Sequence, residues 1–537
     1  MKAQSRSSSA VALGVTALLV IMLALSVSSM VRKSITYDEE GHYRFGKKII
    51  KGKLRAADMQ RMPVSALNAL PLYVLGHWHR APSKRVSLLI SRIPTTIAAL
   101  LLAYFVFCWA SALYGPKAGL AAMMCCVFCP TVLAHSRFVT NDLFCALMML
   151  VSTYVFIEYL NNPNLKKWIL TAVMFSLAQL AKQTALLLFP IFLLLFVLYR
   201  KGEIAEFFLF KDLKSTMGKI GHGAFRFLIF ALVFLVILNA GYGFGDFLVT
   251  FSQLAEHNPD VFGQPFARKL LHTFPHIPLP LPKVYLETLF ISFFYNAQGY
   301  GHGPIYLLGK LSQKGWWFYF PVAAVLKFPI SFFLLFGVAV FVGFKNRKKR
   351  KKLADFSLLV PPLILFLFFS LFCTAQIGIR LLLPMLPFLY IFISQIVTHK
   401  PHTMKLAYPL GVGLLFTWFV GSSLSFYPHY LSYVNELVGR RINMHKYLAD
   451  SNVDWGQNQY YLEKFLADRT NKDIVVLPQK PTTGTVIVNV NGLVGITCEP
   501  RKYRWIRTQY KPVGHIAYSW LIFDIPENPP AWRFQEE

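Results

Sequence analysis

The sequence predicts a mainly α-helical, polytopic membrane protein with about eleven transmembrane helices, outer-face loops and a small α/β region at the C-terminal end. Three observations predict it. Hydrophobic residues fill 55% of the 537 positions and charged residues only 15%, too little charge for a soluble chain of this length. The mean hydropathy is positive, at +0.46. The apolar residues lie in continuous runs, not in alternation, and a continuous run can satisfy its backbone in lipid only as a helix.

The runs fall at residues 10–30, 88–110, 118–134, 143–160, 168–181, 184–199, 224–240, 319–344, 355–373, 381–397 and 406–425. The first follows a basic, Ser-rich start and is read as an uncleaved span, because polar residues with chemical potential follow it at once. The fifth and sixth are short and meet at Lys182-Gln183, as a broken or tilted pair would.

The formal charge of +30 comes from 55 basic and 25 acidic side chains. Most basic residues sit between apolar runs, at 161–167, 200–201, 211–219, 345–352 and 399–402, where cytoplasmic loops of a membrane protein collect them. That pattern argues against nucleic-acid binding. With those loops inside, the connections 31–87, 135–142, 241–318 and 374–380 and everything after residue 425 face outward. Two units follow: 1–425, a multispanning body with long outer loops 31–87 and 241–318, and 426–537, an extracytoplasmic α/β domain. In the latter, 447–465 reads as helix, and 474–477, 485–490 and 515–525 read as strands by their β-branched and aromatic content.

Of the seven cysteines, Cys126 and Cys129 have a metal-like spacing, yet both lie inside an apolar run and read as small core thiols. No metal-ligand constellation is visible. The expectation is therefore that no cofactor is required, with a divalent metal left open.

The residues with chemical potential gather on the outward side. Asp38 and Glu39 follow the first span within Thr36-Tyr-Asp-Glu-Glu40, where a carboxylate could take a proton from an attacking hydroxyl; a solvated loop start is the plainer reading. His135, Arg137, Asn141 and Asp142 crowd the connection after the third run, where Asn141 or Asp142 could also simply cap the next helix. Lys182, with Gln183, is a cation between two very apolar segments. Lys327 lies about eight residues into the eighth run, ~12 Å along the helix, with snorkelling as its plainer role. Arg380 opens the tenth run from outside. Cations in a low-dielectric cleft suit a phosphate, and a neighbouring carboxylate suits hydroxyl deprotonation. Such a set fits group transfer from a lipid-phosphate carrier to an alcohol.

These segments together resemble the C-type (GT-C) membrane glycosyltransferase superfamily, in its bacterial protein-mannosyltransferase and aminoarabinose-transferase-like branch. They are Thr36-Tyr-Asp-Glu-Glu40 with Gly41-His42; Ala134-His-Ser-Arg-Phe-Val-Thr-Asn-Asp142; Leu180-Ala-Lys-Gln-Thr184; Lys327-Phe-Pro329; Ile377-Gly-Ile-Arg380; Asn435-Glu436; and Asp450-Ser-Asn-Val-Asp-Trp-Gly-Gln457. The resemblance implies an inverting transfer of a sugar from a polyprenyl-phosphate-linked donor to a hydroxyl on a protein, glycan or lipid, at the outer face of a bacterial inner membrane. It implies Asp38 as base with Glu39 as partner, and a second acidic motif at Asp142. Arg137, Asp142, Lys182, Gln183, Lys327 and Arg380 are expected at the donor phosphate or sugar, and His42, His135, Asn141, His302 and Gln376 as further substrate contacts. Two rivals share some of these features. A lipid-linked oligosaccharide ligase on the same scaffold would commonly need a divalent metal. A lipid or sugar transporter would need midplane polar residues and inverted repeats.

Overall fold

In a computed structural model the protein is described over residues 2–54, 56–57, 61–76, 82–208, 213–298, 303–345, 352–398, 406–469 and 474–527. His302 and most of the basic runs 345–352 and 399–402 lie outside these residues.

Among the described residues eight helices are long and apolar enough to cross a bilayer: Ser9–Met30, Lys84–Tyr114, Asp142–Asn161, Gln183–Gly202, Gly221–Gly241, Leu353–Phe372, Ile379–Val397 and Ala407–Leu424. The chain is an integral membrane protein. The other three runs take less regular forms. The third is a short helix, Pro116–Val127, interrupted before Pro130 and resumed as Pro130–His135. The fifth is the helix Leu165–Ala181, which stops where Lys182 turns to extended backbone. The eighth is a bent pair, Tyr319–Lys327 and Ile330–Gly343, meeting at 102°. Phe328, at the bend, is extended because it precedes Pro329.

The helices sort by burial. Ile379–Val397 is wholly buried and Asp142–Asn161 largely so, while the apolar faces of Ser9–Met30 and Gly221–Gly241 are open, with Val20, Leu23, Phe227 and Leu232 exposed. Exposed apolar stripes of this kind are lipid-facing surface, not core. Two central helices ringed by lipid-facing ones bring the first turns of Asp142–Asn161 and Ile379–Val397, and therefore Asp142 and Arg380, to one end of the bundle.

After residue 425 the chain departs from simple expectation twice. The stretch 447–458 is not helix; it is a looped segment with a 3-10 turn, Asp450–Asn452, and the α-helix is confined to Gln459–Ala467. Left-handed backbone at Asp450 (φ 56°) and Gly456 (φ 85°) forbids a continuous helix there. The predicted strand 515–525 is a hairpin, Gly514–Ile516 with Trp520–Ile525, turning on Ala517 and Tyr518, both at positive φ. With Ile474–Val476 and Gly484–Asn489 it makes a four-stranded sheet in which only the Ile474–Val476 and Gly484–Asn489 pair is parallel. One apolar cluster runs from Leu102, Leu150 and Ile391 in the spans to Val486, Leu493 and Phe523 beside the sheet.

Candidate active site

Asp38 ends the extended stretch after the first span and stands at the N-cap of the helix Glu39–Ile50, making no side-chain capping bond. Its side chain is a quarter exposed, and its Oδ2 receives a hydrogen bond from Arg380 Nη1 at 3.0 Å. The same Nη1 is 3.7 Å from Asp142 Oδ2. Asp142 is buried and also ion-paired to Lys182, whose backbone break between two helices aims the ammonium at it. The Arg380 guanidinium carbon lies over Trp455, 4.3 Å from the ring centroid. Asp38, Arg380, Asp142 and Lys182 thus form one chain of alternating charge, accessible at its Asp38 end.

Around this chain several buried polar atoms lack a hydrogen-bond partner among the described residues: Asp142 Oδ2, Arg380 Nε, His135 Nδ1 and Gln183 Nε2. Buried groups left unsatisfied cost free energy, and although others are spread through the helices, Arg137 Nη2 and Gln179 among them, these four belong to residues singled out for the site. His135 stacks edge-on with Phe138 and Trp455. Gln183 accepts from Ser292 Oγ at 2.7 Å through its oxygen. Asn141 holds the N-cap position of Asp142–Asn161, its carbonyl accepting the Cys145 N–H at 3.0 Å and its side chain making no capping bond.

Other predicted site residues sit in scaffolding. Glu39 is buried and saturated: Arg92 donates twice, at 2.8 and 2.7 Å, and the backbone N–H groups of Thr36 and Val139 donate at 2.8 Å each. It has no lone pair left for a substrate proton and ties the 31–87 loop to the second span and to the 135–142 connection. Arg137, wholly buried, donates to the Pro428 carbonyl at 2.9 Å and packs against the rings of Phe138 and Tyr430. Burial without an adjacent carboxylate pulls its guanidinium down to about 9. Lys327 does not snorkel; from the bend of the broken helix it donates to the Leu431 and Asn452 carbonyls at 2.7 and 2.5 Å. Gln376 brackets the Trp316 backbone with both ends of its amide. His42 is buried against Ser65 Oγ at 3.0 Å, and burial draws its imidazole down to about 4.

Sequence reasoning missed Arg92, and it noted the segment Asp450–Gln457, with Trp455, only as part of the resemblance and without a role. Arg92 was detectable as an arginine inside an apolar run. The segment 450–457 grips the Asp38–Arg380 end of the charge chain. Tyr37 N–H donates to Trp455 O at 3.0 Å, next to Asp38, and Ile379 N–H donates to Asn452 Oδ1 at 2.9 Å, next to Arg380. Ser451 Oγ bonds the Ile377 carbonyl, and Gly378 leaves the space that this serine occupies.

Two cavities occur elsewhere. One of about 370 Å³ lies between the hairpin 305–312 and residues 495–500; the other, about 430 Å³ and apolar, lies between Val338 and the helix Ala407–Leu424. Neither is lined by the charged cluster. Among the described residues no group of three His, Cys, Asp or Glu side chains is placed to hold a metal ion.

Residues 85–211 match the family model described as dolichyl-phosphate-mannose-protein mannosyltransferase. That segment contains Arg92, Arg137, Asp142 and Lys182, and it supports the resemblance to the GT-C superfamily. ArnT from Cupriavidus metallidurans bound to undecaprenyl phosphate is 11% identical, with 95% of this chain and 97% of that chain covered and a TM-score of 0.47. Its apo form gives the same identity and coverage with a TM-score of 0.44. The archaeal oligosaccharyltransferase AglB from Archaeoglobus fulgidus, in complex with an inhibitory peptide and a dolichol-phosphate, is 13% identical, with 77% of this chain and 56% of that chain covered and a TM-score of 0.45. No curated protein sequence matches the chain.

Proposed function

We propose that this protein is an inverting glycosyltransferase that moves a sugar from a polyprenyl-phosphate carrier to a hydroxyl acceptor. The observation that carries the reading is the partly exposed Asp38 carboxylate, hydrogen-bonded to Arg380 at the open end of a buried Asp142–Lys182 pair. A general base needs access to substrate, and Asp38 has it where Glu39 does not. Asp38 takes the acceptor proton. The acceptor oxygen bonds to the anomeric carbon from one face while the bond to the phosphate oxygen breaks on the other. The bonding pair leaves with the phosphate, and Arg380 and Lys182 stabilise its charge. The unpartnered Arg380 Nε supports that role. Lys327 is left out of phosphate binding, because backbone carbonyls already hold it, whereas Arg137, bonded to Pro428 through Nη1, keeps an unpartnered Nη2 and remains a candidate for the donor.

The donor lipid approaches through the bilayer, and the site and the region after residue 425 face the exterior of a bacterial inner membrane, opposite the basic loops. No metal is required in this reading, since two side-chain cations are present where the leaving charge develops; chelation with EDTA should leave turnover unchanged.

The test is release of free polyprenyl phosphate, followed by mass spectrometry, from a panel of polyprenyl-phosphate monosaccharides given with membrane extract to the protein in nanodiscs. Release by wild type and not by Asp38→Asn is expected. No release from any donor by folded wild type would overturn the reading in favour of a lipid-linked oligosaccharide ligase or a transporter.

A further inference from the structure

One carboxylate near the charge chain has no part in the mechanism above. Asp450 belongs to the segment that clamps Asp38 and Arg380, and it stands two residues before the Asn452 side chain that fixes Ile379 N–H. Its backbone is left-handed, φ 56°, a conformation that costs a β-carbon-bearing residue free energy and that glycine would adopt freely. The turn itself does not need the acid. Its Oδ1 accepts only the neighbouring Ser451 N–H, at 2.6 Å, which an asparagine oxygen would do equally well, and its N–H is held by Asn491 Oδ1 at 2.8 Å. Among the described residues Oδ2 accepts no hydrogen bond, yet it is not among the buried unsatisfied atoms. Asp454, four residues on, is different: it is buried and its Oδ1 accepts the Gly456 N–H at 3.0 Å, as an acid that shapes a turn would.

We propose that Asp450 is a substrate-binding residue, its free Oδ2 accepting a hydrogen bond from a hydroxyl of the sugar or of the acceptor bound beside the Asp38–Arg380 pair. The inference rests on the glycosyltransferase reading and adds a specificity contact supplied by the C-terminal region. The charged groups that face Asp450 are Arg380, Asp38 and Asp454, with the Tyr319 phenol also near. Burial, with Asp38 and Asp454 adding to it, raises the Asp450 carboxyl to about 7. A carboxyl stripped of water mainly by burial gains when a substrate hydroxyl supplies the hydrogen bond that water no longer makes. The hydroxyl could come from the donor sugar or from the acceptor, and kinetics separate the two.

The experiment measures kcat and KM for each substrate in turn, with wild type, Asp450→Asn and Asp450→Gly in nanodiscs. Asp450→Asn keeps the local bond to Ser451 and loses the charge; Asp450→Gly relieves the left-handed backbone, so folding is retained in at least one variant. Both should raise KM for one substrate by about 10- to 100-fold, the loss of one hydrogen bond to a charged group, with kcat changed far less. A rise for the donor assigns Asp450 to the transferred sugar, and a rise for the acceptor assigns it to the acceptor. KM values for both substrates within about twofold of wild type would overturn the proposal. So would a fall in kcat alone. Wild-type turnover in the same assay tests the glycosyltransferase reading separately: an inactive wild type ends that reading, whereas active wild type with unaffected variants ends only this one.

Discussion

Arg380 and Asp38, separated by 342 positions in the chain, are joined by a 3.0 Å hydrogen bond over the face of Trp455. The guanidinium reaches Asp142 from the same nitrogen, so one residue at the start of a buried helix sets the relation between an exposed carboxylate and a buried ion pair. Its planar fork and its stacking on the indole both matter to that arrangement.

Arg380→Lys should therefore lower kcat by about 10²-fold or more with the protein folded, since an ammonium cannot both stack on Trp455 and span two carboxylates. Steady-state release of polyprenyl phosphate measures it; near-normal kcat would show that point charge suffices.

Two lysines in apolar surroundings should behave differently. Lys182→Met removes the partner of Asp142 and should abolish transfer. Lys327→Met strands the Leu431 and Asn452 carbonyls and should act on stability, by about 1–3 kcal/mol for each buried group left unsatisfied, with residual turnover in the folded fraction. Thermal unfolding monitored beside activity distinguishes them. Equal loss of kcat at equal stability would return Lys327 to the active site.

Glu39→Gln should cost about 3–5 kcal/mol, because it leaves Arg92 charged and fully buried without its counter-ion. A double substitution, Glu39→Gln with Arg92→Met, should recover part of that loss. A lowered melting temperature for the single variant and partial recovery for the double are the expected readings. A single variant that melts like wild type would mean the pair is dispensable to the fold.

Two groups outside the spans make stability depend on pH in opposite directions. His42 is held at about 4 against 6.5 by burial, so between those values the unfolded chain binds the extra proton, and the stability contributed by neutral His42 is lost as pH falls from about 6.5 towards 4. Asp450 is raised to about 7 from 3.8, so its contribution is fully present below about 3.8 and is lost as pH rises through about 7. Melting temperatures across pH should show His42→Gln gaining on wild type on the acid side. Asp450→Asn should gain on the alkaline side, even though it weakens substrate binding. Parallel curves for wild type and either variant would contradict the corresponding shift.

Much of the charge chain was legible because charge is expensive where Asp38, Asp142, Lys182 and Arg380 stand. The same rule flagged Arg137 and Lys327, and there it did not separate the two ways such a cation is satisfied, by an anion or by carbonyls. Arg137 finds Pro428 and Lys327 finds Leu431 and Asn452, partners about a hundred or more residues away that no local pattern announces. Glu39 looked like the twin of Asp38 for the same reason: its saturation depends on Arg92, 53 positions on.

The sequence by itself determined the material of the protein: helices through lipid, because long apolar runs can satisfy their backbone in no other way, and a polar face where charges interrupt those runs. Tertiary structure decided which helices are central, where the 319–343 run bends, and that 447–458 is a clamp and not a helix. It also decided which of two adjacent carboxylates stays open to a substrate. Those outcomes depend on hydrogen bonds between residues far apart in the chain, and a local sequence pattern carries no record of such partners until the chain has packed.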